Sequence, residues 1–271
     1  MQKEVHFSRI IISLALALVV YFLPLGLTGQ IHTMLFVMTL VASLWISEAA
    51  PLHATAFVAA FLLIVLVNLK PAQVFAQFFD PVIVLLLGGF VIAVAMTKHG
   101  LDKYIAYKII GKVGKTSKLI VLALLATTTL LSMWISNSAA AAIIMPMALV
   151  ILAKNKAKNG LSDLAKACVL AVAYGATIGG IGTIVGSPPN IIAGKFLQDS
   201  GNTFGFYQWF IRGFPFMLAL MMVTWLILIY LYKPEKDLAH TINKKLKLTS
   251  NQKKVLFIFA LTVILWITEG I

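Results

Sequence analysis

The sequence predicts an all-α polytopic membrane protein built on inverted repeats, with a re-entrant helical hairpin and a broken transmembrane helix. Three observations carry that expectation. Of 271 residues, 61% are apolar and only 11% charged, against about 25% charged in a soluble domain. Apolar runs of 16 to 20 residues recur, long enough at 1.5 Å per residue to cross or nearly cross a hydrocarbon layer of roughly 30 Å. Polar breaks interrupt two of the longest runs, and in lipid such breaks survive only where protein or a water-filled cavity satisfies the backbone. A soluble enzyme, a disulfide-stapled secreted domain and a disordered chain are thereby excluded. The one cysteine, Cys168, allows neither an intrachain disulfide nor a cysteine metal cluster.

Candidate spans run over 10–27, 34–50, 54–69, 82–96, 119–153, 167–196, 214–231 and from 255 onward. The first has about 18 apolar residues and no small-x-small cleavage site, so it reads as retained. The formal charge of +13 is a matter of sidedness here. With Lys3 and Arg9 in the cytoplasm of a cell-membrane protein, the loops at 28–33 and 70–81 fall outside with one basic residue, Lys70. The loop at 98–118 falls inside with six lysines, as does 233–254 with seven. This is a positive-inside pattern.

The stretch 119–153 is too long for one ordinary span and has lysines on both flanks. A hairpin entering and leaving by one face keeps Lys154, Lys156, Lys158 and Lys166 inside, which brings 19 of 22 basic residues to the cytoplasmic side. Each arm has 16 residues, about 24 Å of helix and short for a crossing. A re-entrant hairpin over 119–154 is therefore expected. Its tip reads Ser136-Asn137-Ser138, followed by four alanines. These polar residues favour a helix N-cap, and alanine favours the helix behind it. The free N–H groups and the positive dipole end would then point into the membrane interior and attract an anion. A bland alternative, a polar contact between bundled helices, has about equal weight on the triplet alone.

The second break shifts that balance. The middle of 167–196 reads GATIGGIGTIVGSPPNIIA. Its glycines permit close backbone approach, and Pro188 and Pro189 end one helix and can open another near Asn190. Paired half-helices of this kind are the usual binding element of secondary transporters. Packing glycines with a proline kink would explain the glycines but not the Gly-Ser-Pro-Pro-Asn string.

An internal repeat links the two ends of the chain. LFVMTLVASLWISEA at Leu35–Ala49 aligns with LFIFALTVILWITEG at Leu256–Gly270 at an offset of 221, with seven identities that include Trp45/Trp266 and Glu48/Glu269. The charge count runs the two copies in opposite directions, so the repeats are inverted.

SMWISNSAAAA followed by GGIGTIVGSPPN, with WISEAAPLHATA upstream, resembles the first half of the divalent anion/sodium symporter family, carriers of dicarboxylates such as succinate and malate, citrate and sulfate. The likeness covers essentially the whole chain, whose length is about half that of family members. The match is to the first repeat plus the opening, truncated span of the second. The family's tip is Ser-Asn-Thr; here Ser138 keeps the hydroxyl and loses the methyl. The resemblance implies that Ser132, Ser136 and Asn137, with the Gly186 carbonyl region, form a sodium site. It implies that Asn137, Ser138 and Ser187 hold a substrate carboxylate while Pro188 shapes the pocket. It also implies a homodimer in the lipid, an elevator motion, and scaffold helices over 1–97. A cytoplasmic amphipathic surface helix over 98–118, transport-domain helices over 163–232, a basic cytoplasmic loop over 233–254 and the first helix of the second repeat over 255–271 complete the expected division. The alternative is a half-carrier that is inactive alone or needs a partner chain.

The residues themselves agree with a sodium-coupled anion carrier that uses no organic cofactor. Sodium takes oxygen ligands, which hydroxyls, an amide and exposed carbonyls supply, and a neutral site that becomes positive on loading favours a dianion. No Lys or Arg lies in either motif. A channel would need a polar or charged pore stripe, and an intramembrane protease a nucleophile with its base; neither pattern is present. Glu48 reads as a helix-end residue before Pro51 rather than a proton relay, and His32, His53, His99 and His240 read as interfacial. Phe204, Phe206, Tyr207 and Trp209 suit an outer aromatic belt.

Overall fold

A computed structural model describes residues 6–24, 26, 29–113, 116–153, 162–202, 204–234 and 247–268. Among these residues the chain is helical and holds no strand, and five helical segments are long and apolar enough to cross a membrane. It packs as two compact units, Met1–Asp80 and Pro81–Ile271.

The first unit contains α1 (Phe7–Phe22), α2 (Gly29–Ile46), α3 (Leu52–Val65) and the short α4 (Pro71–Ala76). Helix α1 stops before the expected residue 27 because Leu23, which precedes Pro24, is driven to an extended conformation. Ala17, Leu40, Leu44 and Ala49 form a small α1–α2 core. Buried Ser13 lies 3.5 Å from the Ser47 hydroxyl, and Arg9 donates from Nη1 to the Ser47 carbonyl at 2.8 Å. Helix α2 closes with a reversal in which the Ala49 N–H donates to Leu44 O at 3.1 Å and the Glu48 N–H to Trp45 O at 3.2 Å. This is a Schellman ending, and Glu48 occupies its left-handed position with φ 49°. Glu48 thus has the helix-end placement that the sequence suggested. The imidazole of His32 stacks on Tyr21 at 4.7 Å.

The second unit contains α5 (Pro81–Lys98), α6 (Leu101–Val113), α7 (Ser117–Ser132), α8 (Asn137–Ala153), α9 (Asp163–Ile181), a 3₁₀ turn (Ile184–Gly186), α10 (Pro188–Asp199), α11 (Phe206–Tyr232) and α12 (Ser250–Thr268). Helix α5, read from sequence with the scaffold, belongs to this unit by packing. Helices α7 and α8 have 16 and 17 residues, about 24–26 Å each, and form the expected hairpin. Helix α7 is buried on most of its faces, its Thr127, Thr128, Thr129 and Ser132 included. Thr116 caps it by accepting the Leu119 N–H, as Ser162 caps α9 by accepting the Ala165 N–H.

Several boundaries differ from expectation. The amphipathic helix covers Leu101–Val113 rather than 98–118. Its Ala106 and Ile110 are buried against Ile120 and Val121 of α7, so it is docked on the hairpin base and not only on lipid. Helix α12 starts five residues before 255, because the Gln252 side chain accepts the Thr249 N–H while Thr249 Oγ1 accepts the Gln252 N–H. That reciprocal capping box fixes a helix start, and it shortens the basic loop, of which 235–246 lie outside the described residues. The Gln252 amide also donates to the His99 and Gly100 carbonyls at the α5–α6 corner. Shifted by 221 residues, Gly29 falls on Ser250 and Ile46 on Ile267, next to Thr268, so the sequence repeat is matched by helices of equal register.

Candidate functional site: the hairpin tip against the broken helix

Helices α7 and α9 approach at backbone contact. A Cβ on Gly179 would overlap the Thr129 carbonyl oxygen and stand 2.8 Å from Ser132 Cβ, and one on Gly175 would stand 2.8 Å from Leu125 O. The Gly175/Gly179 spacing is the small-xxx-small device by which membrane helices close on each other. Its consequence is chemical: the fully buried Ser132 on α7 reaches the backbone of α9. Ser132 Oγ lies 2.6 Å from Ala176 O and 2.7 Å from Asn137 Oδ1, in donor geometry to both. A hydroxyl has one proton, so Ser132 donates to one of these two oxygens at a time.

At the tip, Ser136 is the cap of α8, its Oγ accepting the Ala139 N–H at 3.3 Å and its carbonyl accepting the Ala140 N–H at 2.9 Å. No acceptor among the described residues takes the N–H groups of Asn137 and Ser138. Ser136 and Ser138 are exposed and Asn137 half-buried. The second arm therefore begins at the triplet, as the sequence predicted.

The break in the second long run is equally direct. Helix α9 ends at Ile181 and α10 starts at Pro188, with Pro188 and Pro189 in its first two positions. The carbonyls released there are taken by side chains. Asn190 Nδ2 donates to Gly180 O at 2.7 Å and Thr183 O at 2.9 Å, and Trp209 Nε1 donates to Ile181 O at 2.8 Å. Thr183 Oγ1 donates to Met133 O at 2.6 Å, tying the break to the hairpin. Gly180 is the meeting point: a Cβ there would lie 2.8 Å from Asn137 Oδ1, and one on Gly186 would lie 2.7 Å from Gly180 O.

Of the residues expected at a cation site, Ser132, Asn137 and Gly186 thus gather around Gly180, whereas Ser136 spends its hydroxyl on the cap. Ser138, Ser187 and Pro188, expected at the anion, are half-buried or exposed, and no hydrogen bond links them across the site. The structure adds the Ala176 carbonyl, Thr183 and Asn190, while Trp209 ties down the neighbouring Ile181 carbonyl outside this set. Thr183 and Asn190 stand within the glycine-rich motif and were legible as polar residues at a break, while a helical carbonyl has no sequence signal. Phe206, expected in an outer aromatic belt, is instead turned into the protein. Phe206 is buried with Ile184, Val185 and Ile191, and its ring lies 5.2 Å from Trp266 and 6.2 Å from Trp134.

A helical hairpin meeting a broken helix, both rich in oxygen ligands, is the arrangement of a carrier rather than of an enzyme. The model of the citrate transporter family matches residues 42–271. The chain belongs to this family. The sodium-dependent dicarboxylate transporter SdcS of Staphylococcus aureus (strain bovine RF122 / ET3-1) is 34% identical over 273 residues, which cover 94% of this chain and 52% of SdcS. SdcS of strains NCTC 8325 / PS 47 and COL gives the same identity and coverage. The chain spans about half the length of these relatives. Family membership and the apolar helices make it a multi-pass membrane protein of transporter type.

Proposed function

We propose that this chain is the first repeat of a sodium-coupled carrier of divalent anions, dicarboxylates and citrate first among them and sulfate as a further member of the class. The observation that carries the reading is the convergence of three oxygens, Ser132 Oγ, Asn137 Oδ1 and Ala176 O, between the hairpin tip and the broken helix. Sodium is a hard cation suited to hydroxyl, amide and carbonyl ligands. The donor set fits. The sodium-dependent character of SdcS, by name, supports the choice of ion.

In this reading Ser132, Asn137 and the Gly186 region, with Ser136 at the tip, take sodium. The free N–H groups of Asn137 and Ser138, the hydroxyls of Ser138 and Ser187 and the ring of Pro188 take one end of the anion. No lysine or arginine supplies charge, so bound sodium raises anion affinity and the two ligands are coupled by differential binding. Helices α7–α11 form the moving body of an elevator, 1–97 the scaffold, and the carrier works as a homodimer in the cell membrane with its N-terminus in the cytoplasm. The test is uptake of radiolabelled succinate by the full-length carrier in proteoliposomes. Ser136→Ala or Asn137→Ala is expected to abolish sodium-dependent uptake; unchanged uptake at saturating sodium would sink the assignment.

A further inference from the structure

Asn190 is the third residue of α10, and its amide spans the break, donating to Gly180 O and to Thr183 O. The Gly180 carbonyl lies at the end of α9, where a next turn would otherwise have supplied its donor; the Thr183 carbonyl opens the 3₁₀ turn and also accepts the Gly186 N–H at 3.2 Å. The backbone of Gly180 is packed on one side by the Asn137 carboxamide and on another by Gly186. Asn190 therefore holds the surface against which two of the cation-site residues rest, yet no hydrogen bond joins it to Ser132 or Asn137.

We propose that Asn190 is a positioning residue for the cation: its two amide hydrogens fix the end of α9 so that Gly180 holds Asn137 and Gly186 at the spacing sodium requires. The inference rests on the sodium reading above. A carboxylate of the same shape has no hydrogen to donate and would oppose two carbonyls with two more acceptors. Trp209 offers a control, because it also ties down a freed carbonyl, that of Ile181, and makes no hydrogen bond to Gly180.

The experiment is a sodium titration of the purified protein in detergent, with choline as the balancing cation and the thermal midpoint as readout, since a ligand bound only by the folded state raises that midpoint. Asn190→Asp is expected to raise the half-saturating sodium concentration at least about tenfold. Trp209→Phe is expected to lower the midpoint without sodium while leaving half-saturation within about twofold. If Asn190→Asp yields no folded protein, Asn190→Ala, which removes the hydrogens without adding an acceptor, carries the same expectation. Unchanged half-saturation in the Asn190 variants, or an equal shift in Trp209→Phe, overturns the inference and leaves the sodium reading intact. Absence of any sodium response in the unmodified protein overturns both.

Discussion

Helices α8 and α10 both begin at the site, and they begin with opposite chemistry. Helix α8 opens on a serine cap and leaves the N–H groups of Asn137 and Ser138 without a protein acceptor. Helix α10 opens on Pro188 and Pro189, which have no N–H, and its first amide hydrogen, that of Asn190, returns to Ser187 O at 3.0 Å. Both ends carry a positive dipole end, but only α8 can aim hydrogen bonds at an oxyanion. The resemblance implies one carboxylate held by Asn137 and Ser138 from the first start and Ser187 from the second; the α8 start offers free N–H groups, and the α10 start offers one hydroxyl, that of Ser187.

The largest way to break this contrast is to force α7, the first arm of the hairpin, away from α9. Gly179→Ala puts a methyl into the Thr129 carbonyl, and its cost is expected at or beyond the upper end of the roughly 1–3 kcal/mol of ordinary overpacking. Loss of the monodisperse species in detergent size-exclusion chromatography would register it, and a well-folded variant would refute the tight seam. A middle effect is expected from Ser138→Ala, which removes a hydroxyl but keeps the backbone donor. Anion half-saturation should rise about threefold to tenfold, roughly one hydrogen bond's worth, with sodium dependence unchanged. The smallest is Pro189→Ala, which gives α10 the donor it lacks. It should tighten anion half-saturation by no more than about threefold while costing about 0.4–1 kcal/mol through a looser unfolded chain. A large gain in anion affinity would mean that α10, not α8, faces the ligand.

The polar breaks and both half-helix starts were legible because Ser136-Asn137-Ser138 and Gly-Ser-Pro-Pro-Asn are costly at membrane depth unless satisfied. The repeat was legible because Trp and Glu recur at one offset, and the equal register of α2 and α12 bears it out in structure. What sequence could not supply was partnership across helices. Ala176 contributes through its carbonyl, which is the same atom in every residue type. Trp209 looked interfacial because an amphipathic ring suits a membrane surface, and only the fold brings Ile181 O within its reach. The start of α12 was missed because Gln252 and the two lysines after it look like loop, although the Thr249–Gln252 box encloses them in the helix.

The glycine seam between α7 and α9 has a consequence for how the gene can vary. Every other amino acid brings a Cβ, so a single codon change at Gly179 that alters the residue adds a carbon where the neighbouring backbone already stands. On the opposite flank of the same helix Ala173, Tyr174 and Thr177 are exposed. A saturation-mutagenesis map of α9 should therefore be lopsided, with one face closed to every single-step change and the other open to drift, and the line between them would trace the hairpin's contact from genetics alone.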